Sequence, residues 1–181
     1  MSYKSALLVA LFLMPLTLWC SPSTQNIDIQ ADVFELDGKT NEVLASSNVK
    51  VTQKDVVMTG KKAKYNQKTQ KLILSGPIQI DKGEMRLFCD NAVANGKEET
   101  IEAMGKIRFT YIKIHGEADL ALYDRNTQKI TLTGNPKAWQ GQDELTGKII
   151  WIDLKREKIT TEGRARVNLS VETLQQKNKG N

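Results

Sequence analysis

Five aliphatic positions punctuate the chain at one fixed interval: Val43, Leu72, Ile101, Ile130 and Ile159, each 29 residues after the one before. Four residues behind each comes a small one: Ser47, Gly76, Gly105, Gly134 and Gly163. Six residues ahead comes an Asx position: Asp37, Asn66, Asn95, Asp124 and Asp153. A period held without insertion through five copies predicts an array of one small supersecondary unit. Each unit reads as a hairpin, because a polar segment opening with Asp or Asn separates two runs of alternating apolar residues. Asp37-Gly38 and Asn95-Gly96 are turn dipeptides, since both residue types tolerate positive φ.

After each turn the period is two: Val43, Ala45, Val49 and Val51 share a face, as do Leu72, Leu74, Ile78 and Ile80. Ile101, Ala103, Ile107 and Phe109 form the third set, and Ile159, Thr161, Ala165 and Val167 close the series. The Ser/Gly column stands in the middle of that face and predicts a corner where each strand bends. In the runs before the turns, Met58 and Gly60 keep one parity while Ala63 and Tyr65 keep the other, a slip that predicts a β-bulge. Beyond residue 24 no stretch sustains a helical period over three turns. About ten bent antiparallel strands with one apolar face must fold over until those faces meet, as a two-walled sandwich or jelly roll. A parallel β-helix, the rival repeat fold, usually has a shorter period and no hairpin turn in each copy.

The first 23 residues differ from the rest. Lys4 is their only charge, and the apolar run from Ala6 to Trp19 contains Pro15 and is shorter than a bilayer-spanning helix. Residues 1–23 are therefore expected to be a secretory signal peptide, with residues 24–169 the folded domain and the polar residues 170–181 a disordered tail. Lipidation at Cys20 is the alternative, disfavoured by the large Leu18 and Trp19 before it. The net charge of +5 includes Lys4, so the remainder is only mildly basic, far from a nucleic-acid footprint. Cys20 and Cys89 are the two cysteines, and with Cys20 removed no internal disulfide can form. Cys89 shares its column with Ala31, Gly60, Ala118 and Gly147, which reads as a packed small hydrophobe.

The hairpin columns, together with Ile130-Thr-Leu-Thr-Gly-Asn-Pro-Lys-Ala-Trp-Gln-Gly and Leu145-Thr-Gly-Lys-Ile-Ile-Trp-Ile-Asp-Leu, resemble the OstA-like lipopolysaccharide-transport family over residues 27–169. The resemblance implies an all-β fold, a single OstA-like β-jelly roll of consecutive bent strands built from five 29-residue hairpin repeats. It also implies a periplasmic carrier that is not an enzyme and needs no cofactor. Lipopolysaccharide would pass along an interior groove toward the outer membrane, with energy supplied by an ATPase at the inner membrane. The partners implied are lipopolysaccharide, further copies of the chain joined head to tail, and the jelly rolls of inner-membrane LptC-like and outer-membrane LptD-like proteins.

Such a carrier must cover acyl chains, and leaving twelve carbons in water costs on the order of 10 kcal/mol. The alternating columns supply an apolar trough: Phe34, Leu36, Val49, Met58, Tyr65, Leu72, Ile78, Leu87, Ile107, Phe109, Tyr123, Ile130, Leu132 and Ile150. A dry packed core would show the same alternation. The terminal strands are expected to be edges that template pairing, carried by Ile27, Ile29 and Ala31 at one end and Ile159, Thr161, Ala165 and Val167 at the other. Arg164 and Arg166 on the outward parity are the counter-signal, since charge blunts an edge.

Other chemistry is thin. His115 is the only histidine, which excludes a His-based triad or metal cluster. Glu98-Glu99 and Asp143-Glu144 lie in turn-like segments, and no glycine-rich phosphate loop is present. Trp139 and Trp151 fall on the outward parity, where they either meet a partner or shield a strand. The turn lysines Lys39, Lys68, Lys97 and Lys155 fit either lipid phosphates or plain solubility. Two rival functions share these residues: an LptC-like subunit keeping its N-terminal anchor, and a structural β-repeat protein with a filled interior.

Overall fold

The structure, a computed structural model, describes residues 26–170. The expected signal peptide of residues 1–23, with Cys20, and residues 171–181 of the expected tail lie outside the described residues. All regular structure within them is strand, joined into one 14-stranded antiparallel sheet. Six strands cross the fold unbroken: β3 (Glu42–Gln53), β4 (Val56–Asn66), β5 (Lys71–Lys82), β6 (Met85–Asn95), β7 (Thr100–Tyr111) and β8 (Ile114–Asp124). The others are half-length and make four further crossings in pairs. These are β1 (Ile27–Gln30) with β2 (Val33–Asp37), β9 (Lys129–Thr133) with β10 (Lys137–Gln140), β11 (Asp143–Thr146) with β12 (Ile149–Asp153), and β13 (Lys158–Glu162) with β14 (Arg166–Asn168).

The sheet folds along a line through the middle of its long strands. On one side the order is β2-β3-β4-β5-β6-β7-β8-β9-β12-β13, the first wall; on the other it is β1-β3-β4-β5-β6-β7-β8-β10-β11-β14, the second. Between the walls every long-strand pairing shifts register, as at Ser46/Val49, Ser75/Ile78 and Met104/Ile107. The extra residue lies on the strand that leaves an Asx turn: Gly76-Pro77 face Asp90 alone, and Gly105-Lys106 face Asp119 alone. The parity slip in the sequence falls on the facing strand: Lys61 of β4 alone meets Ser47-Asn48 of β3, so the extra residue is on β3 and not on the run that shows the slip.

All five residues of the Ser/Gly column have positive φ, from 63° at Ser47 to 100° at Gly76. Gly105 (φ 79°) shows why side chains are excluded: a Cβ there would sit 2.8 Å from Asp90 Oδ2. At Gly105 conformation and space thus both favour glycine.

The Asx column builds the turns at the outer margin of the first wall. Asp37 Oδ1 accepts hydrogen bonds from the Lys39 and Thr40 amides, and Asn66, Asn95, Asp124 and Asp153 accept from the amides two or three residues ahead in the same way. The Lys39 and Thr40 amides hold the Asp37 carboxyl below its ordinary pKa. Pairing between successive hairpins is as extensive as pairing within them, so the sheet is continuous rather than a row of separate hairpins.

Both walls turn their apolar faces inward to one shared core. Gly116 on the second wall lies so close to the first that a Cβ there would be 3.0 Å from Leu132 Cδ1. Cys89 is buried in this core, and loss of hydration pushes its thiol pKa up to about 11.

Replacing Gly105 by valine should force a β-branched residue into a left-handed site and cost about 2–3 kcal/mol. Lys97→Val, at an exposed turn, should stay within about 0.5 kcal/mol of the parent. Equal urea midpoints for the two variants would contradict the corner assignment. For Cys89, a thiol reagent at pH 7 should leave the folded protein unmodified and label it once urea unfolds it; rapid labelling of the folded form would show that the thiol is accessible.

Candidate functional site

The predicted trough residues fall into two groups. Val49, Met58, Leu72, Ile78, Leu87, Ile107, Phe109, Tyr123, Ile130, Leu132 and Ile150 are buried together between the walls, with Tyr65 half-buried beside them. Strand alternation delivers them there, each unbroken strand contributing inward residues from both sides of its corner. A cavity of about 10 Å³ lies among Ile80, Met85, Leu87, Ile101, Ala103, Ala121 and Tyr123, at the limit of holding one water. At this point the interior is packed.

Phe34 and Leu36 have a different environment. They pair with Ala45 and Val43, on the inward parity of the first wall, yet are 42% and 72% exposed. Their strand is the last of its wall, so nothing continues the interior over them. The same holds at the opposite end, where Val167 pairs with Leu145 on the inward side and is 57% exposed. Both ends therefore show uncovered inward-side apolar chains.

The predicted edge residues occupy those ends. β1 and β2 pair with β3 alone, while β13 pairs with β12 alone and β14 with β11 alone. Ile27, Ile29 and Ile159 lie in edge strands and, like Ala31, pack partly against the core. Ala31 and Ala165 are in no strand, because the chain turns its corner there between half-strands. Thr161 donates to the Ile149 carbonyl from β13, and Ala165 and Val167 are exposed.

Sequence reasoning missed the charged cluster that joins the free margins of the walls. Lys54 and Asp55, in the turn between β3 and β4, belong to the second wall; Glu99 and Arg125, in the turns after β6 and β8, belong to the first. Lys54 Nζ stands 2.7 Å from Glu99 Oε1, and Arg125 Nε 3.4 Å from Glu99 Oε2. Arg125 also approaches Asp55 at 3.8 Å and donates to the Gln53 side-chain and backbone oxygens. Lys82 reaches Asp55 at 3.3 Å and lies over the Tyr123 ring. Partial burial disfavours the Lys82 ammonium, but attraction to the Tyr123 oxygen and Asp55 outweighs it and holds the pKa above the usual lysine value. Tyr111 completes the margin by donating to the Leu154 carbonyl at 3.2 Å. The hydrogen-bonded partners that bridge the walls are 43 to 72 residues apart, so no local motif marks them.

Outside this cluster the polar groups are dispersed. Among the described residues no group of three or more His, Cys, Asp or Glu side chains is placed to hold a metal ion. Trp139 stacks on His115 on the outer face of the second wall, shielding a strand pair.

A family model described as "LptA/(LptD N-terminal domain) LPS transport protein" matches residues 57–158. The lipopolysaccharide export system protein LptA of Haemophilus influenzae is 26% identical over 149 residues, covering 77% of this chain and 71% of that protein. The crystal structure of LptH from Pseudomonas aeruginosa, described as the LptA-homologous periplasmic component of a lipopolysaccharide transport device, aligns at a TM-score of 0.43 and 18% identity over 81% of this chain and 96% of that one. With more than half of its length matched by the family model, the chain belongs to the LptA/LptD N-terminal domain family of lipopolysaccharide transport proteins.

Proposed function

We propose that this protein is a periplasmic lipopolysaccharide carrier that bridges the inner and outer membranes, and that copies join head to tail so that their interiors run on into one another. Residues 1–23 serve as its export signal, 24–169 as the jelly roll and 170–181 as a polar tail. It works as a carrier, not a catalyst, and its end partners are LptC-like and LptD-like jelly rolls. The observation that carries this reading is the pair of open ends. Phe34 and Leu36 at one, and Val167 at the other, are inward-side apolar residues left in water beside strands with an unpaired edge. Adding a strand there would satisfy the backbone edge and cover those side chains in one step. An acyl chain handed from one copy to the next would then stay in an apolar path.

The packed interior favours a second reading, a structural β-repeat protein whose core is filled. Lipid extraction and mass spectrometry of the purified mature protein separate the two. A photoreactive phenylalanine analogue at Phe109 should also give a lipopolysaccharide adduct. No lipid and no adduct would favour the filled core. For assembly, Phe34→Asp with Leu36→Asp should weaken self-association. Each side chain contributes about 1.5–3 kcal/mol when covered, so the loss should be roughly a hundredfold or more in Kd. Sedimentation showing unchanged association would remove the ends from the interface.

A further inference from the structure

The walls are joined covalently at the corner, but their outer margins meet only through side chains. The backbone ladder is saturated within each wall, and the contacts that cross the margin are those of Lys54, Asp55, Glu99, Arg125 and Gln53, with Tyr111 farther along. A surface ion pair normally holds little together. Here the first-wall partners are shielded, the Arg125 side chain 9% exposed and that of Glu99 15%, while Lys54 and Asp55 reach them across the margin from water, at 46% and 62%. One guanidinium there meets carboxylates from both walls and an amide besides.

Behind the cluster is a buried polar group that the Lys82 ammonium approaches without forming a hydrogen bond. The Tyr123 hydroxyl is buried, makes no hydrogen bond, and belongs to a side chain lining the small interior cavity. A buried hydroxyl left unpaired is costly, so a state that supplied it with a partner would be favoured.

We propose that Lys54, Asp55, Glu99 and Arg125 form an ionic latch over a side entrance to the interior, and that its opening admits the acyl chains of an anionic amphiphile. Opening breaks no backbone hydrogen bond of the sheet. It parts Lys54 from Glu99 and Arg125 from Asp55, leaving cations on both margins to face the anionic head group. Lys82, already over Tyr123, is placed for the same group, and the Tyr123 hydroxyl gains a partner in the polar junction between head and chains. This inference rests on the carrier reading for its ligand, while the latch itself is defined by the protein alone.

The test therefore has two readouts on the full-length mature chain. In the first, uptake of fluorescent hexa-acyl lipid A is timed for the parent, Glu99→Lys, the conservative Glu99→Asp, and the control Lys68→Glu. Removing a shielded, charge-assisted contact should speed uptake about tenfold in Glu99→Lys. Glu99→Asp, which keeps the carboxylate between Lys54 and Arg125, should stay near the parental rate, and Lys68→Glu should leave it unchanged. The second readout uses no lipid. Spin labels at Lys97→Cys and Ile112→Cys, in a Cys89→Ala background, report the distance across the margin. Glu99→Lys should lengthen and broaden that distance. Unchanged distances would overturn the latch whatever the uptake data show. Equal uptake rates in parent and Glu99→Lys would overturn its role as an entrance. Widened distances with no uptake by any form would leave the latch standing and overturn the carrier reading.

Discussion

A sheet with one apolar face must cover that face, and this one covers itself by bending every long strand at the same level. The bend requires an extra residue in the left-handed region, a conformation that costs an ordinary L-residue about 1–2 kcal/mol. Glycine removes that cost at the first left-handed residue of four corners, although Lys106, Asn135 and Arg164 behind three of them still bear it. The fifth, Ser47 followed by Asn48, has no glycine and is held by bonds of the kind that also hold the Gly134-Asn135 corner. Asp32 N donates to the Ser47 carbonyl, and Asn48 Nδ2 donates to the Asp32 carboxylate at 2.7 Å. Because the corners align, the halves of each strand face one another and a single core forms between them. Without the corners the inward columns of both halves would share one flat, wet surface.

Much of this was legible in the chain because it depends on local conformation. A left-handed site excludes most side chains, so Gly76, Gly105, Gly134 and Gly163 announce themselves. An Asx turn needs one side-chain oxygen at a fixed offset, so Asp37 and Asn66 do too. The bulge leaves a change of parity between Gly60 and Ala63. Features set by distant parts of the chain were not legible. Phe34 has the same alternation as Phe109, yet one is exposed and the other buried. The difference lies in whether another strand follows, not in the residue. Arg125 sits in an ordinary polar turn, and nothing near it announces Gln53 or Asp55. The division of the crossings beyond β8 into half-strands coincides with Gly134-Asn135-Pro136 and Gly147, residues that weaken a strand.

The fold is consequently stiff in one direction and yielding in another. Along the sheet, ladders of backbone bonds link every strand to its neighbours. At the corner the chain itself ties the walls together. Only the margin depends on side chains, and there the protein places its shielded arginine against Glu99 and Asp55. The choice of ions over more apolar packing has a physical consequence: a charged contact can be exchanged for another charged contact with little net change, whereas parting two greasy surfaces exposes both to water.

The ends present the complementary problem. A closed barrel would have no edges, but it would also have no way to continue its interior into a neighbour. Here the walls remain two separate rims of one folded sheet, so each end offers two short strand edges flanking an apolar gap. Short strands and nearby charges, Asp28 and Asp32 at one end and Arg164 and Arg166 at the other, limit indiscriminate pairing. They also carry opposite signs. An acidic end apposed to a basic end is attracted, while two like ends repel, so in the proposed assembly the charges that guard the edges would also favour the head-to-tail orientation over the head-to-head one.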